Sequence, residues 1–304
     1  MPLINILLNA NHLQQLVMKL RLLNIFTLIP VCFLSSCEIG KSNNKFFTSF
    51  YPIYYLTSEL VAGKYEVVNL VPYGTEPHDY SPTAKKLGEI SLSKCTFING
   101  LGFESWTNGL PESINDKIFT VTIGIKTLNK GNRVDPHVWL NPFNMIIELD
   151  NIYEKLCSLD NESLNFFEEN YLKIKRDLTA LDGFIESELK DVGNRYLITS
   201  HEAYSYFCDR YSFTQISISG IDPDEEPTPK KMAEIVEVCR KYHISTIFTE
   251  ELISSDVANQ IAKETGAKVE VLNPLENLSE EDLKEKNYVS VMKENVKKIK
   301  EATK

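Results

Sequence analysis

Paired thiols are missing from this chain: none of its six cysteines stands in Cys-x-x-Cys spacing, which removes thiolate metal sites and dithiol redox motifs from consideration. No His-Glu-x-x-His element is present either, so the helix-borne signature of a metallohydrolase is absent. Basic residues are in deficit, with 32 Lys and Arg against 42 Asp and Glu and a net charge of -10. That balance argues against nucleic acid or an anionic bilayer surface as the main partner and suits a cation or an uncharged protein face. The apolar run from Leu22 to Phe33 is too short to span a bilayer. No internal repeat stands out, and low complexity is confined to a short polar tract after Cys37.

What is present begins with an export signal. Met18-Lys19-Leu20-Arg21 supplies a basic region, Leu22 to Phe33 the apolar region, and Leu34-Ser35-Ser36 small residues before Cys37. Cysteine directly after Leu-Ser-Ser resembles a bacterial lipobox, which makes Cys37 the expected lipidated first residue and Met18 a better start than Met1. An uncleaved membrane anchor is the competing reading; either way the folded part lies outside the cytoplasm. The other cysteines, Cys95, Cys157, Cys208 and Cys239, each sit beside apolar residues and read as buried free thiols.

At 304 residues the chain exceeds what one core usually organises, and its 43% hydrophobic and 24% charged residues are those of an ordinary globular protein. Strands are expected at Phe46–Phe50, Tyr65–Val71, Cys95–Ile98 and Ile118–Ile123, with helices at Pro52–Ala62, Pro82–Ser91 and Gly102–Leu110 between them. From Phe143 the alternation stops. Asn144–Ser158 and Asn161–Val192 read as helices, the second with Leu164, Phe167, Tyr171, Ile174, Leu178, Leu181, Ile185 and Leu189 in one apolar seam. Such a helix would run roughly 45 Å, enough to lie along two lobes; a coiled-coil arm is the competing reading. After Gly193 the alternation resumes, with strands Tyr196–Thr199, Phe213–Ile218, Thr246–Thr249 and Lys268–Leu272, helices Ala203–Arg210, Pro229–Tyr242 and Ser255–Thr265, and a terminal helix Tyr288–Ala302. The fold class is therefore α/β: two Rossmann-like lobes with parallel sheets joined by one long rigid helix. The expected division is 1–36 leader, 37–45 linker, 46–142 first lobe, 143–192 connecting helices and 193–304 second lobe.

Three of the five histidines have unusual settings. His137 lies in Asp135-Pro136-His137-Val138-Trp139-Leu140-Asn141-Pro142, where proline on both sides stiffens the backbone. His78 lies in Glu76-Pro77-His78-Asp79, and His201 in Ser200-His201-Glu202, each after an expected strand. Convergence of the three on one divalent ion, with a carboxylate or water completing a tetrahedron, is the chemistry this pattern fits. His12 falls in the leader, and His243 reads as a surface or capping residue. Asp79, Asp135 and Glu202 are candidates for contacts behind the imidazoles, with a solvated surface role equally open.

These segments, together with Gly220-Ile221-Asp222-Pro223 and Glu226-Pro227-Thr228-Pro229, resemble in order the motif series of zinc- and manganese-binding lipoproteins of bacterial ABC importers, over the chain from about Phe46 onward. The resemblance is to the zinc-type, laminin-binding-adhesin-like members. It implies His78, His137 and His201 as ligands, and Glu276, in Leu272-Asn273-Pro274-Leu275-Glu276, as the fourth; Glu250 or Glu251 is the rival, with Glu250 also a candidate behind the ligands. It implies Zn2+ as the ion, with Mn2+ as the alternative, because histidine rather than glutamate stands at position 201. It further implies a lipid-anchored, monomeric, extracytoplasmic binding component that is not an enzyme and that delivers its ion to a permease and ATPase. A surface adhesin for host matrix is a further alternative, and a three-histidine zinc hydrolase a rival that the motifs do not favour. The segment from Ile123 to Val134 carries no histidine, unlike the metal-collecting loop of many such relatives.

Overall fold

The computed structural model describes residues 44–304; the leader, the proposed start at Met18 and Cys37 lie outside the described residues. Strands β1 (Lys45–Thr48), β2 (Glu66–Asn69), β3 (Cys95–Ile98) and β4 (Ile118–Thr120) form a parallel sheet in the order β2-β1-β3-β4. Helices α1 (Tyr51–Val61), α2 (Ala84–Ser91) and the single turn α3 (Glu112–Asn115) connect them. A small antiparallel hairpin, β5 (Asn129–Lys130) and β6 (Arg133–Val134), follows.

Two connecting helices come next, α4 (Pro142–Leu159) and α5 (Leu164–Leu189). A second parallel sheet, from β7 (Tyr196–Thr199), β8 (Thr214–Ser217), β9 (Thr246–Thr249) and β10 (Lys268–Val271), takes the order β10-β9-β7-β8. Its helices are α6 (Ser205–Tyr211), α7 (Pro229–Lys241) and α8 (Asp256–Thr265), followed by α9 (Asp282–Glu285) and α10 (Tyr288–Ala302).

In each sheet the strand order reverses beside the first strand, which opens a crevice at the carboxyl ends between β1 and β3 and between β7 and β9. Between strands β3 and β4, where a helix over Gly102–Leu110 is expected, only one 3-10 turn forms at Ser105–Thr107. Here Glu104 turns its carboxylate back to accept from the backbone N–H of Asn99 and Gly100, both at 2.8 Å. Gly102 and Gly109 adopt φ of 85° and 76°, which closes the segment off from continuous helix.

Helix α4 starts where Asn141 accepts from the N–H of Phe143 at 2.9 Å and Pro142 takes the first turn, a cap worth about 1 kcal/mol. Along α5 the residues Phe167, Ile174, Leu178, Leu181, Ile185 and Leu189 are buried, whereas Leu164, expected in the same seam, is exposed. Each buried side chain contributes roughly 1.5–3 kcal/mol. The largest apolar cluster continues from Phe46, Phe97 and Trp139 through this helix to Tyr204, Leu272, Leu275 and Tyr288, so both sheets share one core with the connecting helices. The four described cysteines are free, and all but Cys157 are buried. Among the described residues no helix is long and apolar enough to cross a membrane.

Glu148 on α4 is fully buried and neither of its carboxylate oxygens has a hydrogen-bond partner among the described residues. Burial, with a smaller push from Glu104, raises its pKa from 4.5 to about 8. Between those values the folded chain holds a proton that the unfolded chain has lost, so the stability this group provides is fully present below the lower value and disappears as pH rises through the upper one. Glu148→Gln should therefore match the parent at pH 5 and exceed it at pH 8 by on the order of 1–3 kcal/mol in denaturant melts. Parallel stability curves for the two proteins would contradict this account.

Candidate metal centre

Four side chains from separate segments meet at the carboxyl ends of the strands: His78 from the loop after β2, His137 before α4, His201 after β7 and Glu276 after β10. The sequence carried His137 on a stiff segment, and the structure shows what holds that segment. Asn99, after β3, donates its amide to the carbonyl of Pro136 at 3.0 Å, and Tyr206 on α6 donates its hydroxyl to the carbonyl of Asp135 at 2.8 Å. From the far side the Trp139 indole donates to the Pro274 carbonyl at 2.8 Å, and the Tyr288 hydroxyl donates to the Trp139 carbonyl at 2.6 Å. Asn277 binds the loop that carries His78, donating to the carbonyls of Pro72 and Thr75 at 2.7 and 2.9 Å. Glu276 is aimed by the turn before it: Leu275 is fully buried at φ 62°, and its N–H donates to the Asn273 side chain at 2.7 Å. A buried apolar anchor and an Asn-stabilised turn together hold this left-handed conformation.

The geometry at the centre is close and regular. His137 Nε2 lies 3.2 Å from His78 Nε2 and 3.3 Å from His201 Nε2. Glu276 Oε1 lies 3.5, 3.3 and 3.2 Å from the Nε2 atoms of His78, His137 and His201. Glu276 Oε1 has no hydrogen-bond partner although its residue is 4% exposed. A tetrahedral ion with bonds of about 2.0–2.1 Å would put neighbouring donors about 3.3–3.4 Å apart. Five edges of the tetrahedron therefore match what zinc requires.

Behind the donors, carboxylates fix the rings. Asp135 Oδ1 lies 2.7 Å from His137 Nδ1 and also accepts from the His137 N–H at 3.0 Å. Glu250 Oε1, directly after β9, lies 2.6 Å from His201 Nδ1 and accepts from the Ser200 hydroxyl. Each carboxylate assigns the proton to Nδ1 and turns the Nε2 lone pair toward the centre. Burial opposes the charged form of both rings, yet Asp135 and Glu276 hold His137 above the ordinary histidine pKa, and Glu250 and Glu276 hold His201 well above it. Burial likewise opposes ionisation of Glu276, but the surrounding imidazoles hold it well below the carboxylate range. Glu76, which accepts from the His78 N–H at 3.1 Å, is pushed up to about 8 by burial and by Glu276.

Other candidates sit elsewhere. Glu202 pairs with Lys130 at 2.7 Å, and the pKa of Asp79 is raised first by a hydrogen bond with Asp224, so neither makes a hydrogen bond to an imidazole. Glu250 stands behind His201 rather than among the four donors, and Glu251 is exposed. His243 is exposed, at φ 50° just past α7. Asp222, in the Gly220-Ile221-Asp222-Pro223 motif, is joined at the cleft mouth to Arg133, which carries no local signal that would single it out.

A family model described as zinc-uptake complex component A, periplasmic (ZnuA), matches residues 47–302. The chain belongs to this family. Among relatives, it is 34% identical over 283 residues to the zinc-binding lipoprotein AdcA of Streptococcus pneumoniae, covering 87% of this chain and 56% of AdcA. It is 30% identical over 304 residues to the high-affinity zinc uptake system protein ZnuA of Bacillus subtilis, covering 90% and 95% of the two chains. The solved laminin-binding protein Lmb of Streptococcus agalactiae, described as bifunctional with adhesin and metal transporting activity, superposes with a TM-score of 0.80 at 27% identity over 86% of this chain and all of Lmb. The chain thus spans a little over half the length of the AdcA relatives, while its two-sheet architecture with a long connecting helix is that of the ZnuA-like proteins.

The carboxylate behind His201 can be tested directly in metal-free protein. NMR titration of the imidazoles should find His201 protonated past the ordinary histidine range, and Glu250→Gln should lower its pKa. A His201 ring that titrates normally in the parent would remove the electrostatic role given to Glu250.

Proposed function

We propose that this protein is the extracytoplasmic capture component of a zinc importer, and that Zn2+ is its cargo. His78, His137 and His201 would bind through Nε2 and Glu276 through Oε1, with residues 46–142 and 193–304 as the two lobes and 143–192 as their bridge. The observation that carries this reading is the donor spacing of 3.2–3.5 Å in a buried three-imidazole, one-carboxylate set. Three nitrogen donors in a tetrahedron favour zinc over manganese, which prefers oxygen-rich octahedral shells. Four protein donors leave no open position for a substrate, which favours carriage over catalysis.

Membership in the zinc-uptake family and the printed functions of AdcA and ZnuA support the same cargo. A permease with its ATPase is the partner this role requires. The names of the lipoprotein relatives and Cys37 after Leu34-Ser35-Ser36 support a lipid anchor on the outer face of the cell membrane. Similarity to Lmb supports adhesion to host matrix as a second role for the same exported chain.

Capture follows from the protonation state of the centre. Without the ion, the raised imidazoles and the depressed Glu276 carboxylate neutralise one another across the site. An arriving cation must displace those protons, because a protonated nitrogen has no lone pair to give. Affinity should therefore fall as pH drops, beginning above the ordinary histidine range. Calorimetric zinc titrations at pH 7 in buffers of different ionisation enthalpy should show one ion bound with about one to two protons released. Glu276→Ala should weaken that binding strongly. Manganese bound as tightly as zinc, or uptake without proton release, would refute the assignment.

A further inference from the structure

The three imidazoles are not supported alike. His137 and His201 each present Nδ1 to a buried carboxylate, at 2.7 and 2.6 Å. His78 Nδ1 faces Asp222 Oδ1 at 3.8 Å, too far for a hydrogen bond. Asp222 belongs to the loop between β8 and α7, on the opposite side of the cleft from the loop that carries His78. Arg133 from the hairpin grips the same carboxylate with two parallel bonds, Nη1 to Oδ2 at 2.7 Å and Nη2 to Oδ1 at 3.0 Å. All three residues line one open cleft of about 390 Å³ beside Phe103 and Pro136. The Asp222 side chain is 41% exposed, in contrast to the completely buried Asp135. The hairpin makes two further ion pairs to the far lobe, Arg133 to Glu225 at 3.5 Å and Lys130 to Glu202 at 2.7 Å, neither of which touches an imidazole.

We infer that Asp222 is a positioning residue for His78, supplied by the second lobe and held at the cleft mouth by Arg133. A shift of roughly 1 Å brings Asp222 Oδ1 within reach of His78 Nδ1. An ion on Nε2 makes the opposite N–H a stronger donor, so the contact tightens when the cleft is loaded. Affinity then depends on the lobes being together, since the acceptor for one ring arrives only from across the cleft. Arg133 keeps the carboxylate ionised and pointed, and ties the histidine-free hairpin to the centre.

This inference rests on His78 being a ligand, and the experiment separates the two claims. Zinc affinity, and the rate of zinc release to a chelator, are measured for the parent and for Asp222→Ala, Asp222→Asn, Arg133→Ala, Lys130→Ala and the Arg133→Ala/Asp222→Ala double variant. Asp222→Ala should weaken binding about 10- to 100-fold. Asp222→Asn, which keeps an acceptor oxygen, should recover part of the loss. Arg133→Ala should have a smaller effect in the same direction, and the double variant should be no worse than Asp222→Ala, as expected of residues acting through one contact. Lys130→Ala should leave affinity unchanged. A parent that binds zinc while Asp222→Ala binds equally well overturns the inference alone. A Lys130→Ala loss as large as that of Asp222→Ala overturns it in favour of general tethering of the lobes. A parent that binds no zinc overturns the ligand assignment and this inference with it.

Discussion

Four lone-pair donors held 3.2–3.5 Å apart in a buried space repel one another unless something positive sits among them. Every other feature of the molecule can be related to that constraint. In the absence of an ion the neighbouring carboxylates favour the protonated form of His137 and His201, and on the proposed assignment a divalent cation would meet the same constraint better because one charge centre can face all four donors at once. Asp135 and Glu250 favour protonation at the Nδ1 positions, which on that assignment would leave the Nε2 positions alone for proton and metal to contend for.

Holding such a set together needs a scaffold that does not relax. The donors come from loops, which are ordinarily mobile, but here each loop is pinned by hydrogen bonds from elements far away in sequence. Trp139 to Pro274 and Asn277 to Pro72 bind one lobe's loops to the other's. The largest apolar cluster, which passes from the first sheet through α5 to Tyr288, leaves no clean plane along which the lobes could part. At the rim, by contrast, the contacts are charged and half-exposed: Arg133 with Asp222, and Lys130 with Glu202. A tightly packed interior with a polar mouth would suit the proposed carriage of an ion that must be bound and then released.

Much of this was legible before any coordinates. Cys95–Ile98, Tyr196–Thr199 and Thr246–Thr249 form strands at the expected bounds and the terminal helix forms at Tyr288–Ala302 where one is expected, because buried parallel strands are short apolar runs and the last helix has a strong apolar period. Gly102–Leu110 does not form the expected helix, since its glycines and the inward turn of Glu104 answer to tertiary contacts rather than local propensity. The hairpin at 129–134 has no sequence signature, because two-residue strands carry no alternation.

Local chemistry in the sequence determined which residues could be donors and how stiffly each was mounted: histidines flanked by proline, or placed just past a strand, need only nearby covalent and steric restraints. Tertiary structure alone decided that Glu250 stands behind His201, that Asp222 reaches toward His78 from across the cleft, and that Asp79 and Glu202 turn to other partners. Those outcomes depend on the relative placement of two sheets to within about an ångström, a quantity set by the shared core as a whole and written in no single segment of the chain.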